Sequence, residues 1–67
     1  MTPQEMLEEM IVSAWDEFSE IARAEEEDDF SDAMLSMERT EAQGYAEGLE
    51  AAYLIIYNKA FTPKESA

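Results

Sequence analysis

Apolar residues recur every three to four positions along two stretches of the chain, and each stretch predicts an amphipathic helix. At about 100° per residue, Met10, Ile21, Ala14, Leu7, Phe18, Ile11, Ala22 and Trp15 fall within one arc of roughly 140° in the first stretch. Glu5, Glu8, Glu9, Asp16, Glu17 and Glu20 take the opposite face. Thr2-Pro3-Gln4-Glu5 supplies the start: Thr2 can cap, Pro3 fits the first helical position, and Glu5 can close a capping box. The apolar stripe ends after Ala22, and Glu25, Glu26, Glu27, Asp28 and Asp29 follow where a helix C-terminus favours cations. The first helix is expected over about 3–27 and a turn over about 28–31.

Ser31 or Asp29 can cap a second helix over about 32–58, with Phe30 and Leu35 spaced for a hydrophobic staple. Pro63 and the polar tail Lys64-Glu65-Ser66-Ala67 close it, and Lys59 and Lys64 suit the negative end of its dipole. A short connection between helices of similar length makes them antiparallel, so the fold class is all-α, an antiparallel helical hairpin in a single domain over 1–67. The second helix has more apolar surface than one neighbour can cover. Ala51, Gly44, Met37, Ile55, Gly48, Met34, Ala52, Tyr45, Ile56, Leu49, Ala42, Leu35, Tyr53 and Ala46 span about 220° of it. The last turns, Ala51 to Tyr57, are apolar all round.

A chain of 67 residues buries only about 60% of the surface it exposes when unfolded, and a lone two-helix hairpin is marginal on that account. Pairing two hairpins into a homodimeric four-helix bundle enlarges the shared core. Gly44, Tyr45, Gly48, Leu49, Ala52, Tyr53 and Ile56 are the residues expected at that oligomer interface. Gly44 and Gly48 stand one turn apart, which allows backbones to approach closely, while Glu41, Glu47 and Glu50 rule out a membrane-embedded version of the same spacing.

Composition narrows the chemistry. There is no cysteine and no histidine, which removes disulfides, thiolate nucleophiles, Cys/His zinc sites, di-iron Glu-x-x-His bundles and imidazole acid–base catalysis. The serines at positions 13, 19, 31, 36 and 66 have no base to activate them. Asp28-Asp29-Phe30-Ser31-Asp32 lacks the alternation and central glycine of a calcium loop. Glu17-Phe18-Ser19-Glu20 and Glu26-Glu27-Asp28-Asp29 carry the carboxylate spacing of helical magnesium pyrophosphatases, but on one helix and its end rather than on facing helices. No enzyme, cofactor or metal is expected.

Charge is the remaining signal: 17 Asp and Glu stand against 4 Lys and Arg, a formal charge of −13. Residues 1–32 hold 12 acids and the single base Arg23, whereas residues 33–67 hold 5 acids and 3 bases. A surface this acidic repels phosphates, so direct binding to nucleic acid or to an anionic membrane is disfavoured. No apolar run reaches the ~18–20 residues of a membrane span, and MTPQEMLEEM has no signal-peptide pattern, so a cytoplasmic location is expected. The acids either solubilise a small oligomer or dock on a basic, nucleic-acid-binding surface of another protein. Asp16, Glu17, Glu20, Glu25, Glu26, Glu27, Asp28 and Asp29 are the expected partner-binding residues under the second reading. Leu54 and Tyr57 are candidate apolar anchors. Glu38, Glu41 and Lys59 enter the apolar arc of the second helix, with Arg39 and Lys59 available to pair with the acids.

In size, acidity and lack of catalytic side chains the chain resembles the small accessory proteins that phages and mobile elements encode, among them acidic anti-CRISPR and anti-restriction proteins. The likeness is one of type, without a shared motif. It implies an inhibitor whose carboxylates take phosphate positions on a host protein. The alternative is a structural or assembly module acting through the apolar half of the second helix.

Overall fold

A computed structural model describes residues 1–62 as two helices, α1 (Pro3–Glu27) and α2 (Ala33–Tyr57), each of 25 residues. They pack antiparallel as a hairpin, with no strand among the described residues. The tail from Pro63 to Ala67, expected to close the second helix, lies outside the described residues. The extents, 40 × 25 × 18 Å, are those of two rods lying side by side, since 25 residues rise about 37 Å.

The start of α1 is fixed by reciprocal bonds. The Glu5 amide donates to Thr2 Oγ1 at 3.1 Å, the Thr2 amide donates to Glu5 Oε1 at 2.9 Å, and Pro3 occupies the first turn, where its missing N–H costs nothing. The turn between the helices is a Schellman closure. The Phe30 amide reaches back to the Glu25 carbonyl (2.9 Å) and the Asp29 amide to the Glu26 carbonyl (3.1 Å), leaving two carbonyls of the last turn satisfied. That closure needs a left-handed residue, usually glycine. Here Asp29 takes it at φ 56°, and Phe30 follows at φ 59°.

Asp32 caps α2, accepting from the Met34 amide at 2.9 Å. The sequence pointed to Ser31 or Asp29. Asp29 is committed to the end of α1, and the Ser31 hydroxyl turns back to the Asp28 carbonyl at 2.7 Å. Moving the cap to Asp32 also puts Ser31 and Ser36 at the staple positions, so the expected Phe30–Leu35 staple does not form and Phe30 is 63% exposed. At the far end Asn58 takes the left-handed conformation, and its amide donates to the Leu54 carbonyl at 2.8 Å.

The fully buried apolar side chains are Ile11, Ala14, Ala46 and Tyr53. Two of the four are alanines, which lets the helix axes come close but removes little apolar surface from water. The predicted stripe of α1 does face α2: Leu7, Trp15, Phe18, Ile21 and Ala22 are half-buried along it, and only Met10 remains exposed at its edge.

Phenylalanine gains nothing from the left-handed conformation that glycine adopts freely, and Phe30 gives up little packing when removed. Phe30→Gly is therefore expected to stabilise the hairpin by about 1 kcal/mol. That corresponds to a thermal midpoint ~4–8 °C higher in a circular-dichroism melt. An unchanged or lowered midpoint contradicts this account of the turn.

Candidate functional site

Three polar links cross between the helices. Beside the turn, Glu25 is 1% exposed, and its carboxylate accepts from Arg39 Nε at 2.6 Å and from the Ser36 hydroxyl. At mid-hairpin, Trp15 Nε1 donates to Glu50 Oε2 at 2.6 Å. At the open end, the Tyr53 hydroxyl donates to Glu8 Oε2 at 2.6 Å and accepts from Gln4 Nε2 at 3.0 Å. Tyr53 also packs on Tyr57, with ring centroids 4.9 Å apart, and on Phe61 edge-on at 5.7 Å. No buried side-chain polar atom among the described residues lacks a partner.

The Ser36 hydroxyl, together with the Arg39 guanidinium and its charge, holds the Glu25 carboxyl below its usual value against the opposing effect of burial. For Tyr53 the direction is upward. Glu8 accepts the phenolic proton and disfavours the phenolate, burial adds to this, and donation from Gln4 works against it.

The structure divides the residues expected to bind a partner. Asp16, Glu17, Glu20, Glu26, Glu27, Asp28 and Asp29 are exposed. Glu25 is the exception: it faces α2, because a helix that puts Ala14, Phe18 and Ile21 inward also turns position 25 inward, and Arg39 and Ser36 stand there to receive it. Glu25 therefore belongs to the scaffold. Arg39, a candidate partner for Glu38 or Glu41, is taken by Glu25, and both of those acids are exposed. Arg39–Glu25 is the only ion pair among the described residues. Asp16, Glu20 and Glu27 share a shallow groove with Arg23, the one cation on this side of α1, which lies too far from each of them for an ion pair.

The residues expected at an oligomer interface also divide. Gly44, Tyr45, Gly48 and Ile56 are exposed, and Leu49 and Ala52 are half-buried. Tyr53 is buried inside the hairpin through its bonds to Glu8 and Gln4 and its stacking, so it presents nothing to a second chain. Met34 (67% exposed), Met37 and Ile55 (80%) extend the exposed apolar face beyond the expected set. Leu54 is exposed, whereas Tyr57 is half-buried beside Tyr53. The polar links were the features the sequence analysis missed. Their one legible signal was that an inward-facing Trp15 or Tyr53 needs a partner for its N–H or O–H.

Among the described residues no three acidic side chains converge where a metal ion could sit, and no helix is long and apolar enough to cross a membrane. Compared with known proteins, the chain matches no family model, no curated protein and no solved structure.

A carboxylate held below its usual value stabilises the fold above the unfolded-state value of 4.5, and that contribution is lost as pH falls through the lower folded-state value. Protonating the outward acids acts the other way, since it relieves their mutual repulsion. Comparison with Glu25→Gln isolates the buried group. The variant is expected to melt several degrees below the parent at neutral pH, with the gap closing as pH drops below 4.5. A gap that is constant across acid pH contradicts the assignment.

Proposed function

We propose that the protein is a small acidic interaction module, a homodimeric four-helix bundle in assembly, that docks the outward carboxylates of α1 and the turn on a basic, nucleic-acid-binding surface of another protein. It acts as an inhibitor by occupying that surface, in the manner of phage-type anti-defence proteins. The observation carrying this reading is the set of seven exposed carboxylates between Asp16 and Asp29. No cation of the described chain pairs with any of them, although Arg39 is spent on the buried Glu25 nearby.

Magnitudes indicate what such a set resembles. Asp16 to Asp29 covers about 20 Å at helical rise. The seven exposed acids there, less Arg23, leave a net charge of −6. One strand of nucleic acid carries a charge every ~3.4 Å along the helix axis, or about six over that length, and a duplex about twelve. Spread around the outward half of α1 and the turn, this charge equals that of a single phosphate strand and half that of a duplex over the same length, which favours a surface that holds one strand. Phe30, exposed at the tip among Glu26 to Asp32, adds an apolar anchor to a surface otherwise made of charge.

A second reading, assembly through the apolar half of α2, draws on the exposure of Met34, Met37, Tyr45, Ile55 and Ile56. The two differ in salt response. Charge-driven docking weakens steeply as ionic strength rises, whereas apolar docking does not.

The triple variant Glu20→Lys, Glu26→Lys, Glu27→Lys replaces three exposed acids of α1, two of them in its last turn where the helix dipole favours cations, and lysine is as good a helix former as glutamate, so helicity should be retained. Tagged parent protein is expected to retain, from nuclease-treated lysate, a protein that both a single-stranded oligonucleotide and high salt displace. The triple variant is expected to lose at least about tenfold of that retention. Retention indifferent to salt, to the oligonucleotide and to the reversals defeats the reading.

A further inference from the structure

We infer that the outward face of α2 is a self-association seam: two copies pair α2 against α2, antiparallel about a two-fold axis near Gly48, with each α1 outermost. The inference rests on the homodimer proposed above and gives it a geometry. It differs from a bundle closed around the sequence-expected interface, because Tyr53 is consumed within the hairpin and the exposed apolar surface lies further round the helix.

The face is continuous. At 100° per residue, Gly44, Met37, Ile55 and Gly48 lie within an arc of about 40° on the side of α2 turned away from α1, and Met34, Ala52, Tyr45 and Ile56 extend it toward the α1 margin. There Tyr45 shares a groove with Met6 and Met10. Five large side chains of this face, Met34, Met37, Tyr45, Ile55 and Ile56, are each more than half exposed. At roughly 100 Å² of side chain apiece they offer about 500 Å² per copy. Gly44, Gly48, Ala51 and Ala52 between them bring the face toward the ~600 Å² per partner at which stable interfaces begin.

The two glycines have no explanation inside the hairpin. A Cβ added at Gly44 or at Gly48 would meet nothing within 4 Å, and both sit mid-helix, where glycine is the poorest choice after proline. Close approach of a second helix is what glycine permits there.

Self-complementarity selects the occupant, and charge its direction. A second copy of this chain is the occupant because its own α2 offers the same apolar face with the same two glycines, which match across a two-fold axis, and Glu41 lies within this face with Glu38 at its edge. In a parallel pair Glu38 would stack on Glu38 and Glu41 on Glu41. In the antiparallel pair, positions summing to about 96 lie opposite one another, which sets Glu38 against Asn58, so that neither Glu38 nor Glu41 meets its own copy. Glu41 then faces Ile55, and Gly44 faces Ala52. The paired α2 helices stand between the acidic α1 helices and keep them more than one helix spacing of about 8–10 Å apart, beyond the ~8 Å over which salt leaves charges visible to one another.

Sedimentation equilibrium on the purified chain tests this. The parent is expected as a dimer of about 15 kDa from its 7.6 kDa chain. Gly48→Glu and, independently, Ile55→Glu place a carboxylate in the seam while leaving it in open solvent in the lone hairpin. Each is expected to raise the dissociation constant ~100-fold or more with helicity retained. Gly44→Cys combined with Ala52→Cys is expected to cross-link the two copies on mild oxidation, and Gly44→Cys alone is not. A monomeric parent overturns both the seam and the dimer. A dimer indifferent to both Gly48→Glu and Ile55→Glu overturns the seam alone, and cross-linking by Gly44→Cys alone, as a parallel pair would give, overturns the antiparallel direction. Docking of the α1 acids is read separately by retention from lysate, so its loss leaves these outcomes unaffected.

Discussion

Glu25 is the constraint on which the hairpin turns. It is the one carboxylate in an acid-rich segment that faces inward, and a charge taken out of water must be matched where it lies. Arg39 and Ser36 match it from α2, and in doing so they fix how far along α1 the second helix sits. The same contact brings positive charge to the C-terminal end of α1, which has no basic residue in its own last turn and carries three successive glutamates there. With the register set at the turn, Trp15 meets Glu50 and Tyr53 meets Glu8 further along.

This dependence on polar links follows from the size of the apolar core. Among the described residues the buried apolar side chains are two alanines, an isoleucine and a tyrosine, and alanine contributes little to specifying one alignment of two helices over another. Directional bonds at three levels supply the specificity that packing leaves unset. Each link spends a glutamate of an otherwise outward set, so the acidity of the chain serves two purposes: Glu8, Glu25 and Glu50 tie the helices together, while Asp16, Glu17, Glu20 and the acids of the turn face solvent.

The surface is correspondingly two-sided. The outward half of α1 carries net negative charge at the density of a single phosphate strand, whereas the outward side of α2 sets the exposed Glu38, Glu41 and Glu47 among large apolar side chains. A lone hairpin leaves large side chains of α2 in water, and the two mid-helix glycines weaken that helix without relieving any contact inside the hairpin. Both features are accounted for if the carboxylates meet a basic partner while the apolar face meets its own copy, because each surface then lies against chemistry complementary to its own.

The sequence by itself determined the elements: a 3.6-residue period with Thr2, Pro3 and Glu5 at one start, and a run of acids too polar to pack, define two helices and a short turn through local chemistry alone. The excess apolar surface of the second helix was legible in the same way, since an arc of about 220° cannot be covered by one neighbour. Which acid faces inward was decided by the tertiary structure, because Glu25 is indistinguishable from Glu26 and Glu27 until Arg39 and Ser36 arrive from another part of the chain. The cap of α2 was likewise settled by competition, as the Schellman closure of α1 consumed Asp29 and moved the start to Asp32. Tyr53 went to the inside rather than to an interface for the same reason: the side of a helix that is buried depends on the partner's position, and only the packed hairpin supplies the Glu8 and Gln4 groups that hold its hydroxyl.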